Sequence, residues 1–282
     1  MISRLPIFSK LQSQLNAQNF EIARLRTELE DIRTELKNAR VHSLSLREIM
    51  GQRIARDRLK GLREARRAAT RDMNADLKQL ERMFPRAFPI WSQLFENAKV
   101  EYEARPSESL SVASNPGAEL FRKYVSAELA GHVLDIGCGP LELPHYFAGQ
   151  TIERLAGIDP LAGKPNRQFE FVQGLAEFLP WMDGEFDSVV IATSLDHVIS
   201  LDMVFSEVRR VLAPNGIVAI WVGFVKGAKE YDPSAEDVAA IDSYHLFHFD
   251  RPWFLDYVNK YFVVTDELAV DSVSYFYSLR SR

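Results

Sequence analysis

The sequence predicts an α/β protein built on a parallel sheet, with an N-terminal α-helical coiled-coil extension. Three observations predict this. From Leu120 onward, short apolar runs alternate with helical stretches, the order that sets strands side by side with crossover helices between them. Within that region Val133-Leu-Asp-Ile-Gly-Cys-Gly139 reads as a buried strand ending in a glycine turn, where backbone approaches a ligand with no Cβ in the way. Ahead of it, residues 11–39 place apolar side chains at alternating steps of four and three.

Composition agrees with this outline. A chain of 282 residues has room for one full domain and an appendage, and 46% apolar residues mark globular rather than disordered material. The single cysteine, Cys138, excludes an intrachain disulfide and reads as a small space-filler in the glycine turn. No run approaches the ~20 apolar residues of a membrane span, and Met1 to Lys10 has no apolar core of signal-peptide length. The expectation is a cytoplasmic protein. Charge is divided: residues 1–84 hold 18 Lys and Arg against 11 Asp and Glu (net +7), and the rest holds 16 against 28 (net −12). The two parts therefore have different jobs or partners.

In the seam, Leu15, Ile22, Leu29 and Leu36 take the a positions, and Leu11, Gln18, Leu25, Ile32 and Ala39 take d. Glu21, Glu28 and Glu35 at g face Arg26, Arg33 and Arg40 at e of a second chain only if the two helices run parallel and in register. That pattern predicts a parallel homo-oligomer, a dimer before a trimer, over a long helix packed on its own domain. Residues 40–71 carry ten basic residues against Glu48, Asp57 and Glu64. A basic arm for an anionic surface competes here with a solvated helix face. No aromatic residue is interleaved for base stacking, so nucleic acid is unsupported.

Helix should stop near Phe84-Pro85. The chain then divides into a helical segment, 1–84, a linker or lid, 85–119, and a catalytic domain, 120–282. Within 85–119, Phe88, Ile90, Trp91, Leu94, Phe95 and Tyr102 are too apolar for a free linker and predict a short helix lying over the domain. Leu120–Leu129 is expected as a helix feeding the first strand. A second strand ends in Asp159-Pro160, a third spans Phe169–Gln173 and a fourth Asp187–Thr193. Met203–Val211 is expected as a helix, Pro214-Asn-Gly216 as a turn, and Gly216–Val222 as a fifth strand. Val263–Val270 and Ser272–Leu279 can pair as a hairpin.

Asp159, twenty residues past Gly139, suits an adenosine-containing cofactor, its carboxylate accepting hydrogen bonds from the ribose hydroxyls. A dinucleotide fingerprint is absent, because Glu142 stands where G-x-G-x-x-G needs its last glycine. The glycine loop, Gly157-Ile-Asp-Pro160, Phe171–Pro180, Phe186-Asp187, Glu207–Gly216 and His248–Leu255 together resemble the class I S-adenosylmethionine-dependent methyltransferases, type 11 branch. The resemblance runs from about Leu120 to Leu279 and implies a Rossmann-like, seven-stranded methyltransferase sheet with S-adenosyl-L-methionine as cofactor. It implies cofactor contacts from Asp135, Gly137, Cys138, Gly139, Asp159, Pro160, Ala176, Glu177 and Thr193, with Asp250 capping the last crossover helix. Two positions depart from the family pattern: Leu141 replaces a third glycine, and Leu175 replaces the carboxylate that holds the adenine amino group. Glu177 is the expected substitute for the latter.

An alcohol acceptor needs a base, because its proton must leave as the new bond forms. The loop after the fourth strand offers His197 first and Asp196 second. Tyr244, His245 and His248 are expected to line the acceptor pocket. No His/Cys/Asp group has metal-ligand spacing in the sequence, so no metal is expected. The resulting expectation is methyl transfer to an unidentified acceptor, oxygen preferred, in a glycan or other small molecule. The alternative is a non-catalytic coiled-coil scaffold carrying a methyltransferase-like domain.

Overall fold

The computed structural model of the chain describes residue 33, residues 72–162 and residues 166–282. Two compact units divide the chain, residues 1–57 and 58–282, and the second holds the sheet. The coiled-coil seam with its Glu–Arg pairs and the basic stretch 40–71 lie outside the described residues, apart from Arg33, which is helical and exposed.

Helix α1, Met73–Met83, starts at Asp72, whose carboxylate accepts from the Asn74 N–H at 3.0 Å, and stops ahead of Pro85. Helix α2, Ala87–Ala104, runs for 18 residues where the sequence predicts a short helix. Pro89 does not break it, since it falls in the first turn, where a backbone N–H has no partner inside the helix. Helix α3, Pro116–Ser126, starts at Asn115, which caps Gly117 N–H at 2.8 Å.

Strands β1 (His132–Ile136), β2 (Arg154–Asp159), β3 (Glu170–Gln173), β4 (Phe186–Ala192) and β5 (Leu212–Gly223) pair in parallel. Strands β6 (Phe262–Ala269) and β7 (Ser274–Ser281) form the expected antiparallel hairpin, and β7 pairs with β5. The order is β3-β2-β1-β4-β5-β7-β6, the seven-stranded sheet that the resemblance implies. Alternation sorts each strand between two faces. Val133, Val190, Ala192, Ala219 and Trp221 pack under α3. Leu134, Ile136, Val189, Ile191, Val218 and Ile220 pack on the other face with α1, α2, α4 (Leu201–Val211) and α5 (Arg251–Val258). Both faces are thus apolar, as a buried parallel sheet requires.

Two local expectations are corrected. Pro214-Asn-Gly216 lies inside β5 as an irregularity, with Leu212 pairing Phe186, Ile217 pairing Ser188 and Asn215 at φ +64°. Asp250 does sit at the N-cap of α5, but its carboxylate accepts from Gly227 N–H at 2.7 Å instead of capping. No described helix is long and apolar enough to cross a membrane.

Candidate active site

The sheet order reverses direction between β1 and β4, and a crevice opens there beyond the carboxyl ends of the strands. On one side β1 runs into the glycine turn. Gly137 has φ +73° and Gly139 φ +67°, and a Cβ on Gly137 would stand 2.2 Å from the Ser194 Cβ, so the turn closes only around a bare backbone. Gly137 N–H donates to the Ile158 carbonyl at 2.8 Å, joining the turn to the end of β2. One residue later, Asp159 accepts Gly139 N–H on Oδ2 and Leu161 N–H on Oδ1, each at 2.8 Å. Burial raises its pKa against those two bonds. Each carboxylate oxygen keeps a second lone pair for a ligand hydroxyl.

Gly137, Gly139, Asp159, Pro160, Ala176, Glu177 and Thr193 all line one cleft. A bare-backbone turn with a buried carboxylate beside it suits the ribose of a nucleoside ligand. Asp135 and Cys138 do not line it. Asp135 is on the opposite face of β1, fully buried, where the Tyr146 hydroxyl donates to it at 3.0 Å and burial pushes its pKa up to about 8. Cys138 is buried behind the turn, accepting from Arg167 at 3.5 Å, and burial drives its thiol pKa well up. Glu177 is also committed elsewhere: its Oε1 accepts from Ile199 N–H at 2.8 Å and Ser200 N–H at 3.3 Å, holding the chain into α4. Its carboxylate therefore anchors backbone, and Leu175, 2% exposed, leaves an apolar wall where the family pattern sets an acid.

On the other side, β4 is followed by Thr193, which carries φ +54° although it is β-branched. Such a conformation costs about 1–3 kcal/mol and persists only where surrounding structure holds it. A bond from Thr193 N–H to the Trp221 carbonyl at 2.9 Å holds it. Leu195–His197 follows as a short 3-10 turn. A second pocket opens beside the cleft and shares Tyr102, Leu110, Thr193, Leu195, His197 and Tyr244 with it. Asp196 and His245 line this second pocket; His248 lies just behind, its Nε2 3.2 Å from Asp242.

Tertiary structure brings together groups that the sequence reading, which saw no metal-ligand spacing, did not anticipate. Asp196 and His197 converge with His245 although more than forty residues of chain separate the two loops, while Asp242, His245 and His248 come together within a single loop. Sequence reasoning also missed Asp242 itself, which accepts from Tyr244 N–H at 2.7 Å and from His245 Nδ1 at 2.9 Å. The face of α2 was missed in part: Trp91, Leu94, Phe95, Ala98 and Tyr102 line the cleft at helical spacing, so this helix is its roof. The Trp91 indole donates to the His197 carbonyl at 2.7 Å, tying the roof to the loop after β4. The aromatic run in 88–102 was the available signal.

Residues 134–220 match the model of a family described as "Methyltransferase domain". Over that segment the chain is similar to a methyltransferase domain. S-adenosylmethionine is the cofactor this domain type uses, and the residues present fit it, with a bare-backbone turn and a carboxylate at the end of β2 lining one cleft. The chain is 30% identical over 143 residues to the sterol 24-C-methyltransferase ERG6B of Gibberella zeae, an alignment covering 46% of this chain and 37% of that protein. It is 32% identical over 117 residues to the malonyl-[acyl-carrier protein] O-methyltransferase of Geobacter sulfurreducens, covering 40% and 38%. The chain thus spans less than half the length of these curated relatives. The fold is shared with the 1,6-didemethyltoxoflavin-N1-methyltransferase of Burkholderia thailandensis, solved with S-adenosylhomocysteine: TM-score 0.50 and 16% identity, over 66% of this chain and 88% of that one. These three proteins are named for carbon, oxygen and nitrogen acceptors, so the methyltransferase domain alone does not select the atom.

Proposed function

We propose that the chain transfers the methyl group of S-adenosylmethionine to a hydroxyl oxygen of a neutral or cationic small molecule, a sugar hydroxyl being the best fit. The observation that carries this reading is the common wall of the two pockets, where Thr193, His197 and Tyr244 face both. A nucleoside in the cleft and an acceptor in the second pocket would meet there. When bound, the cofactor supplies an activated methyl group: the O–CH₃ bond forms as the S–CH₃ bond breaks and the electron pair stays on sulfur. The protein contributes alignment and proton removal. Gly139 and Asp159 hold the ribose end, the roof helix excludes water, and the Asp196–His197–His245 group takes the acceptor proton.

The acceptor class follows from the second pocket's lining. Glu101, Glu108, Asp196 and Asp271 repel an anion and accept hydrogen bonds from hydroxyls, while Tyr102, Trp221 and Tyr244 offer ring faces. Parallel self-association through residues 11–39 and a cytoplasmic location belong to the same proposal and rest on sequence alone. Calorimetric titration with S-adenosylhomocysteine tests the reading: binding with a micromolar constant is expected. No binding at millimolar ligand sinks it and leaves the scaffold. With binding in hand, labelled methyl should pass to neutral glycosides and not to their carboxylated analogues.

A further inference from the structure

Asp196, His197 and His245 each bring one ligand atom to a site where all lie within 4.8 Å of one another. The two imidazole rings stack at 4.5 Å with 30° between planes. Their Nε2 atoms face the two oxygens of one carboxylate, His245 Nε2 3.8 Å from Asp196 Oδ2 and His197 Nε2 4.0 Å from Asp196 Oδ1. Those distances are too long for hydrogen bonds. They are close to the spacing of atoms that share an ion, since bonds of about 2.1 Å set tetrahedral ligands about 3.4 Å apart.

The other nitrogen of His245 is an independent observation. Its Nδ1 lies 2.9 Å from both oxygens of Asp242, and the backbone N–H groups of Tyr244 and His245 fix that carboxylate in turn. A carboxylate on Nδ1 holds the proton there and leaves the Nε2 lone pair directed at Asp196, the arrangement that orients a metal-ligating histidine.

We propose that Asp196, His197 and His245 bind a first-row divalent metal ion, with Asp242 as the positioning residue for His245. Two histidines and one carboxylate leave coordination positions open, and His197 lines both pockets, so the open side faces the acceptor. There the ion takes the acceptor oxygen and lowers its pKa, releasing the proton to solvent. In this arrangement His197 is a ligand, and the proton-removing role of the cluster is exercised through the ion. Metal binding stands by itself; its part in methyl transfer rests on the function proposed above.

The test uses the full chain, stripped with a chelator and titrated with Zn²⁺ by calorimetry and with Co²⁺ by visible absorption. One equivalent should bind with a micromolar constant, and Co²⁺ should show the d–d bands of nitrogen ligation. His245→Ala and Asp196→Asn should each weaken binding by about a hundredfold, and Asp242→Asn by about tenfold. Thermal melts of each variant verify folding, and His245→Gln replaces His245→Ala should the latter not fold. No binding at millimolar metal, or equal binding by wild type and the Asp196 and His245 variants, overturns the proposal. S-adenosylhomocysteine titrated into the metal-free wild type reports on the methyltransferase reading separately.

Discussion

The two sides of the crevice are built by different means. The cofactor side consists of strand ends: β1 turns through two glycines, β2 finishes in Asp159, and adjacent parallel strands bring turn and acid together. The acceptor side consists of loops, residues 193–198 and 242–248, that meet only because the chain between them returns to the same edge of the sheet. The first side uses backbone groups and one carboxylate with every oxygen already bonded. The second uses histidines and carboxylates whose partners are one another. A side made of strand ends can serve any acceptor, while the loop side is free to set which one.

Trp91 ties the helix roofing the cofactor cleft to the loop after β4, and its removal should have the largest effect. Trp91→Ala deletes a buried ring stacked on Phe95 at 5.5 Å and the bond to the His197 carbonyl. A loss of about 3–5 kcal/mol in unfolding free energy is expected. Because Trp91 also lines the cofactor cleft, S-adenosylhomocysteine affinity in the folded variant should fall as well, by about tenfold, or ~1.4 kcal/mol, by calorimetry.

Asp159→Ala acts on the cofactor side alone. Removing an acceptor for two ribose hydroxyls should weaken S-adenosylhomocysteine by about a hundredfold, at ~1.5 kcal/mol or more for each charged bond. Zn²⁺ binding should be unchanged; a parallel loss of both would show that the sides are one unit.

Asp135, beneath the cofactor turn, makes stability depend on pH. The folded chain keeps its proton to about pH 8, whereas an unfolded aspartate releases it near ~3.9. Between those values the folded form binds the extra proton, so stability is highest at the acid end and falls as pH rises. The limiting slope for one group is ~1.4 kcal/mol per pH unit. Asp135→Asn keeps an acceptor for Tyr146 and should make the decline in melting temperature from pH 5.5 to 8 shallower, pH values chosen as roughly inside that window. Burial raises the pKa of Asp159 and Glu177 in the same direction, so any contribution from them has the same sign.

Thr193→Gly, on the acceptor side, should have the smallest effect. It relieves the positive φ but frees the unfolded chain, for a net gain of about 0.5 kcal/mol. A lower melting temperature would show that the threonine side chain contributes more than its backbone costs.

The sequence by itself determined the sheet region, the glycine turn and Asp159, because these depend on local rules: two-residue alternation, positive φ at glycine and a carboxylate at a strand end. It even held the orientation of Asp135, since Leu134 and Ile136 take one face and Val133 and Asp135 the other. The approach of Asp196 to His245 could not be read this way, nor could the diversion of Glu177 to Ile199 and Ser200. Both depend on where distant backbone lies once the sheet has closed, and no spacing along the chain encodes a distance across it. Only the tertiary structure decided that three residues without metal-ligand spacing would meet at one point, because strand order, not chain order, sets which loops are neighbours.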